Sequence, residues 1–163
     1  MITVKQADEK NAGEIAALAD IVWHEHFVPI IGLDQVEYML DKFQSEKAIG
    51  ESMRGGGYEY YMAFENGDFI GYMGIHEDKE YNSVLLSKIY IKKEHRGKGA
   101  ARALLNHVMA SYSKCGMFWL TVNKHNSSAI AAYEKLGFKT ERESVTDIGG
   151  GFVMDDYVMV IRR

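Results

Sequence analysis

Hydrophobic residues along the chain follow a helical period first and a strand period afterwards. A short alternating run over residues 2–7 reads as an opening strand. Ile15, Leu18, Ala19, Val22 and His26 then recur at i, i+3, i+4, i+7 and i+11, marking one face of a helix that Asp8 or Asn11 is placed to cap. Pro29 and Gly32 interrupt that helix. A second helical stretch runs from Asp34 to Phe43, resumes after Ser45 and ends at Gly55-Gly56-Gly57.

Beyond those glycines the period drops to two. Tyr58–Glu65 and Phe69–His76 flank Asn66-Gly67, the dipeptide that most readily takes the positive φ angles of a type I′ hairpin turn. Val84–Ile91 carries hydrophobic residues at both parities, which suits a central strand covered on two faces. A strongly periodic helix follows, with Ala101, Leu104, Leu105, Val108, Met109 and Tyr112 on one face. Phe118–Val122 reads as a strand, Asn126–Leu136 as a helix stopped by Gly137, and Phe138–Val145 as another strand. Gly149-Gly150-Gly151 makes a turn, and Val153–Ile161 closes the chain. The order β-α-α-β-β-β-α-β-α-β-β mixes antiparallel hairpins with one strand–helix–strand crossover. It predicts an α+β or three-layer mixed-sheet fold, one domain over residues 1–163.

Composition narrows the function classes. Nineteen basic against 23 acidic residues leave a formal charge of −4, the wrong sign for nucleic-acid binding, which draws on excess Lys and Arg. The single cysteine, Cys115, excludes an intrachain disulfide and a four-cysteine metal site. No apolar run approaches the roughly 18 residues that span a bilayer, and the N-terminus lacks a signal pattern. The chain reads as a cytoplasmic domain with no membrane partner.

The segment Ile89-Tyr90-Ile91-Lys92-Lys93-Glu94-His95-Arg96-Gly97-Lys98-Gly99-Ala100-Ala101 carries the chemistry. A strand feeds a loop with two glycines, and the loop opens into a helix. Unpaired N–H groups and the helix dipole favour an anion there, and glycine lets backbone approach a ligand without a Cβ in the way. Arg96, Lys98 and Arg102 add charge, so the loop suits phosphate or pyrophosphate. The P-loop pattern fails because no Gly-Lys pair is followed by Ser or Thr. The dinucleotide fingerprint matches only Gly97 and Gly99 and stands mid-chain. An ordinary loop with a basic helix start stays open on these residues alone.

Arg96, Gly99 and Ala101 also match R-x-x-G-x-A. Downstream, Leu120-Thr121-Val122, Asn126, Ala129-Ile130, Tyr133 and Leu136-Gly137-Phe138 follow a second pattern at the right distance. Together they resemble the GCN5-related N-acetyltransferase (GNAT) family over nearly the entire chain. The resemblance implies a three-layer α/β/α fold with a mixed, mostly antiparallel sheet around a β-α-β core that binds acyl-CoA. It implies acetyl-CoA between splayed central strands Val84–Ile91 and Phe118–Val122. Backbone of Ile89, Tyr90 and Ile91 would lie along the pantetheine, with an N–H near Tyr90 or Ile91 as oxyanion donor. Arg96, Gly97, Lys98, Gly99, Ala100 and Ala101 would hold the pyrophosphate. Asn126 would contact the coenzyme arm and cap its helix, and Tyr133 would protonate the departing thiolate.

The family's glutamate on the central strand has no counterpart in Leu85-Leu86-Ser87-Lys88, so the general base stays open, with His76, Glu77 and His125 as relay candidates. The region around Asp34–Phe43 resembles bacterial polyamine (spermidine/spermine) N-acetyltransferases, and Glu25, Asp34, Glu37 and Asp41 offer negative charge to a small cationic amine. Trp23, His26 and Phe27 are read as walls of the acceptor pocket. Protein N-terminal or lysine acetylation, and a non-catalytic acyl-CoA-binding module, stand as alternatives. The terminal strands suit a homodimer. His24-Glu25-His26 lacks zinc spacing and no metal is expected. Cys115 is read as structural, and Tyr58, Tyr60 and Tyr61 as sheet packing.

Overall fold

Asn66 (φ 51°) and Gly67 (φ 89°) both take the positive dihedrals a tight hairpin needs. They join β2 (Tyr58–Glu65) to β3 (Asp68–Asp78). The computed structural model describes Met1–Arg163 throughout. Its other strands are β1 (Ile2–Gln6), β4 (Ser83–Ile91), β5 (Met117–Asn123), β6 (Lys139–Gly149) and β7 (Phe152–Arg162). All seven form one sheet in the order β1-β2-β3-β4-β5-β7-β6. Only β4 and β5 pair in parallel; every other neighbour is antiparallel. The expected α+β, three-layer architecture is the observed one.

Six helices cover the two faces: α1 (Ala12–His26), α2 (Val28–Ile31), α3 (Leu33–Phe43), α4 (Glu46–Arg54), α5 (Ala100–Ser111) and α6 (Ser127–Leu136). Pro29 does not simply break the first helix; it sits in the opening turn of α2, where its missing N–H costs nothing. Asp8 and Asn11 cap not α1 itself but the 3-10 turn Glu9–Asn11 that leads into it; Asn11 holds the N-cap position of α1 without a side-chain cap bond to it. Asp8 Oδ1 accepts from Lys10 N–H (2.9 Å), and Asn11 Oδ1 accepts from Asp8 N–H (3.0 Å). The last hairpin runs longer than its sequence pattern suggests, because β6 pairs with β7 up to a turn in which Gly149, Gly150 and Gly151 all have positive φ. Along β6 the side chains are almost all exposed, so no hydrophobic alternation marks its full length.

Two cores result. Leu104, Leu105 and Val108 of α5 pack with Ile75, Val84, Leu86, Phe118, Leu120 and Met159 of the sheet, and α6 joins that side through Ile130, Tyr133 and Leu136. On the opposite face Ile15, Leu18 and Val22 of α1 pack with Val36, Ile49, Tyr60, Met62 and Tyr72. Tyr60 and Tyr61 are buried in the sheet as expected. Buried Cys115 donates weakly to the Asn82 and Met117 carbonyls (both 3.3 Å).

One irregularity in β4 sets up everything that follows. Gly74 faces Lys88 and Ile75 faces Leu86, leaving Ser87 unopposed as a bulge. An extra residue reverses side-chain parity. Val84 and Leu86 face the α5 core before the bulge, whereas Lys88 and Tyr90 face α1 after it, with Ile89 and Ile91 now on the α5 side. Parallel pairing with β5 stops after Ser83–Met117, Val84–Phe118 and Leu85–Trp119. From there the two strands diverge.

Candidate functional site

The divergence leaves strand edges without partners. Lys92 N–H bonds the Ile70 carbonyl on β3 (2.8 Å), so by antiparallel alternation the Tyr90 backbone also turns to β3. The backbone groups of Ile89 and Ile91 therefore point into the gap. This corrects one expectation: Tyr90 offers the gap its side chain, and only its two neighbours offer backbone. Arg96 Nε donates to the Ile91 carbonyl from the gap side (3.0 Å), which fixes the loop against the strand end.

At the start of α5 the polar groups are equally unspent. Gly97 (φ 76°) and Gly99 (φ 93°) turn the chain with dihedrals that side chains resist. The first helical bond is Ala103 N–H to the Gly99 carbonyl (2.9 Å). Amides from Gly97 to Arg102 have no acceptor within the protein. A Cβ built on Gly97 or Gly99 would meet no protein atom within 4 Å, so the approach side is open. Six donors with a helix dipole behind them fit a diphosphate. Lys98 is the free cation beside them. Arg102 instead binds the Lys135 carbonyl (3.2 Å) and ties α5 to α6.

Asn126 Oδ1 accepts from Ala129 N–H (3.4 Å) as the cap of α6 and lies 2.9 Å from His26 Nε2. Arg96 reaches the other ring nitrogen, Nδ1, at 3.5 Å. His26 thus links the end of α1 to the glycine loop and to α6, instead of lining the acceptor side. Trp23 and Phe27 do come together, with ring centroids 4.4 Å apart, and Tyr90 stands edge-on to both at 5.7 and 6.2 Å. Tyr72 adds a fourth ring 5.5 Å from Tyr90.

Tyr133 reaches the gap from the α6 side. Its ring packs edge-on to Phe138 (6.0 Å, 66°), and burial pushes its phenol up to about 12. Its hydroxyl is bonded to no other protein group. The phenol therefore stays protonated at neutral pH and has a proton to give. Desolvation raises Tyr90 further, and both Tyr133 and Asp156 lie near enough to add to that rise.

Sequence pattern missed two buried ions. Lys88 (8 % exposed) donates to the Phe43 carbonyl (2.7 Å) and to Tyr60 Oη (2.9 Å). Burial lowers it to about 8. Asp156 (4 % exposed) lies opposite Asn123 in β7, past the point where β4 leaves β5. Its carboxylate has neither hydrogen bond nor ion pair, and burial raises it to about 6, with Asp155 adding and Lys124 subtracting. Nothing in Met154-Asp155-Asp156-Tyr157 distinguishes it from a solvated pair; only the register reveals it.

Other candidates fall elsewhere. His76 and Glu77 face Leu85 and Val84, where β4 still pairs with β5, and so lie before the gap opens. His125 is exposed in the turn before α6. Glu37 and Asp41 line an outer groove with Asp20 of α1. There Glu37 binds His24 Nε2 (2.5 Å) and, with the Asp20 carbonyl, raises its pKa. Asp34 and Glu25 are exposed. The charge expected to meet the acceptor is therefore on the outside of α1 and α3. No group of three or more His, Cys, Asp or Glu side chains is placed to hold a metal, and no helix is long and apolar enough to cross a membrane.

Comparison with known proteins agrees with this geometry. Residues 15–138 match the acetyltransferase (GNAT) family. An uncharacterized N-acetyltransferase of Mycobacterium tuberculosis is 31% identical over 153 residues, 92% of this chain and 96% of that protein. A probable spermine N(1)-acetyltransferase of Bacillus subtilis is 31% identical over 101 residues, 56% of this chain and 64% of that one. The crystal structure of the PaiA N-acetyltransferase from Thermoplasma acidophilum, in complex with coenzyme A, superposes with a TM-score of 0.84 at 20% identity. It covers 100% of this chain and 99% of that one, which establishes the shared fold. The chain belongs to the acetyltransferase (GNAT) family and is an N-acetyltransferase that draws its acetyl group from acetyl-CoA.

Proposed function

We propose that the protein acetylates a small cationic amine, polyamine-like in character, by direct attack in a ternary complex. The observation that carries this reading is the anchoring of α3 on the β6–β7 hairpin. Tyr38 Oη and Lys42 Nζ of α3 both donate to the Ile148 carbonyl (2.8 Å each), and Gln35 Nε2 donates to the Val153 carbonyl (3.0 Å). Tyr38 also packs on Phe152 at 5.2 Å. These contacts hold α3 on the β6–β7 hairpin across the sheet. In this reading the anchored α3 closes over the acceptor side, which suits a narrow amine better than a folded protein, since a protein asks for an open groove. The half-buried rings of Phe27 and Tyr90, backed by buried Trp23, suit a cation on an apolar stem. The similarity to a Bacillus spermine acetyltransferase supports the same class.

Acetyl-CoA supplies an activated acyl group as its thioester. In this reading the amides from Gly97 to Arg102 and Lys98 bind its diphosphate, and the Ile89 and Ile91 backbone lines its arm. A backbone N–H at Ile91 or Ile89 faces the reacting carbonyl as the oxyanion donor, a role worth about 3 kcal/mol in comparable sites. Tyr133 gives its proton to the departing sulfur and recovers one from the new amide nitrogen. His26 holds Arg96 and Asn126 in place beside it.

Thiol release from acetyl-CoA, measured with spermidine, spermine, kanamycin, lysine and an alanine-led hexapeptide, tests the assignment. The expected result is that spermidine or spermine gives kcat/KM at least ~10-fold above the peptide, a gap of about 1.4 kcal/mol. A peptide that outruns every small amine would overturn it in favour of protein acetylation.

A further inference from the structure

The reaction needs a group to take a proton from the acceptor, because an ammonium has no lone pair with which to attack. The strand position that the sequence offers for this is filled by Lys88, which the bulge at Ser87 turns into the α1-side core and onto the Phe43 carbonyl. A base must therefore come from another element. Asp156 is more than nine-tenths buried and has no hydrogen bond or ion pair within the protein, its oxygens keeping only a sliver of solvent contact. Carboxylates this buried are rarely left without a protein partner, since the ionised form loses most of its hydration. Lys124 does not rescue it: that ammonium is held by Glu143 and by the neighbouring Asp155, both at 2.8 Å.

Register places the side chain. Val122 and Tyr157 face each other on the α5 side, so Asn123 and Asp156, one residue along, face the α1 side. Tyr90 presents its ring on that same side from β4. Because β4 and β5 have parted, Tyr90 stands at one edge of the gap, while Asp156 lies one strand behind the other edge, beside Asn123 of β5. Both Asp156 and Tyr133 come close enough to Tyr90 to raise its pKa. We propose that Asp156 is the catalytic base, taking a proton from the acceptor ammonium in the gap between β4 and β5. This rests on N-acetyl transfer itself and holds whichever amine is the acceptor.

The proton balance closes. Asp156 carboxylate accepts one proton from R–NH3+, leaving R–NH2 and a neutral carboxyl group. The nitrogen lone pair forms the C–N bond to the acetyl carbon. The C–S bond then breaks with its electron pair going to sulfur, which takes the Tyr133 proton. The Tyr133 phenolate regains a proton from the acetylated nitrogen, and Asp156 releases its own to water. One proton leaves per turnover. The groups that bear on Asp156 are Tyr90 from β4, Asp155 on its own strand and Lys124 from the turn after β5. Burial and Asp155 hold its pKa at about 6, near enough to neutrality for a base that must both accept and release a proton.

The test compares wild type with Asp156→Asn and Asp156→Glu in the thiol-release assay at saturating acetyl-CoA, using the fastest amine of the panel. Calorimetry with acetyl-CoA runs alongside. In Asp156→Asn, kcat should fall ~100-fold or more, with acetyl-CoA affinity within about twofold of wild type. Wild-type kcat/KM should decline with unit slope below about pH 6, and that limb should be missing from the residual activity of Asp156→Asn. Asp156→Glu should recover part of the rate and keep an acidic limb. An Asp156→Asn enzyme within threefold of wild type overturns the proposal, as does a loss confined to the amine KM, which would mark a charge anchor. Should the Asn variant not fold, the wild-type profile still decides: a flat kcat/KM from roughly pH 5 to 7 overturns the proposal.

Discussion

Asp156→Asn should make the protein more stable while making it slower. A free aspartate titrates near 3.9, and Asp156 in the folded chain titrates at about 6. The folded state therefore binds the proton more tightly than the unfolded state. Stability rises as pH falls from about 6 toward about 4, and above about 6 the ionised carboxylate is a standing cost. A gap of about two units at 1.36 kcal/mol each puts that cost near 3 kcal/mol at neutral pH. Asparagine removes the charge but leaves an amide with no partner in the same place, which returns about 1 kcal/mol. The net gain is about 2 kcal/mol, or roughly 4–8 °C in Tm for a chain of this size. Scanning calorimetry of both proteins at pH 7.5 and pH 4 measures it. The gain should appear at pH 7.5 and vanish at pH 4, where wild type is already neutral at this position. A variant that melts below wild type at pH 7.5, or one whose gain persists unchanged at pH 4, would refute the assignment of an unpaired buried charge.

Tyr133→Phe should lower kcat by ~100-fold or more while acetyl-CoA affinity stays close to wild type; parallel losses in both would make Tyr133 a packing residue. Lys88 supplies a second pH signature of opposite origin. Its folded pKa is depressed to about 8 by burial, so between about 8 and about 10.4 only the unfolded chain holds the proton, and stability should rise with pH across that window. Urea melts of wild type and Lys88→Met over this range should diverge accordingly, and parallel curves would contradict the burial of a charged Lys88.

How much of this was legible in the sequence depended on whether a feature was local. The strand–loop–helix at Ile89–Ala101, the cap at Asn126 and the tyrosine at 133 are set by short-range geometry, so residue type and spacing exposed them. Trp23 and Phe27, one helical turn apart, were visible as a pair for the same reason. His26 shares that helix face, yet its partners are 70 and 100 residues away, and the period of α1 says nothing about them. The bulge at Ser87 inverts the parity of β4, so an alternation count points Lys88 and Tyr90 to the wrong face. Asp156 was hidden more completely. Its role follows from pairing with Asn123 and from the early parting of β4 and β5, neither of which leaves a mark in the Asp155-Asp156 dipeptide. Glu37 and Asp41 erred in the other direction: acidic residues on an amphipathic helix looked available to substrate, but their face turns outward to His24 and Asp20.

The central claim is that the unpaired amides between Gly97 and Arg102, at the mouth of the β4–β5 gap, receive the diphosphate of acetyl-CoA. Isothermal calorimetry of coenzyme A against wild type and Gly99→Val tests it most directly. Gly99 holds φ 93° with open space beside it, so valine both strains the turn and puts a branched side chain where phosphate must approach. Saturable heat from one site in wild type, weakened at least ~10-fold in a variant that still melts cooperatively, is the predicted result. No heat from the wild-type protein, or equal affinity in the two, would contradict it.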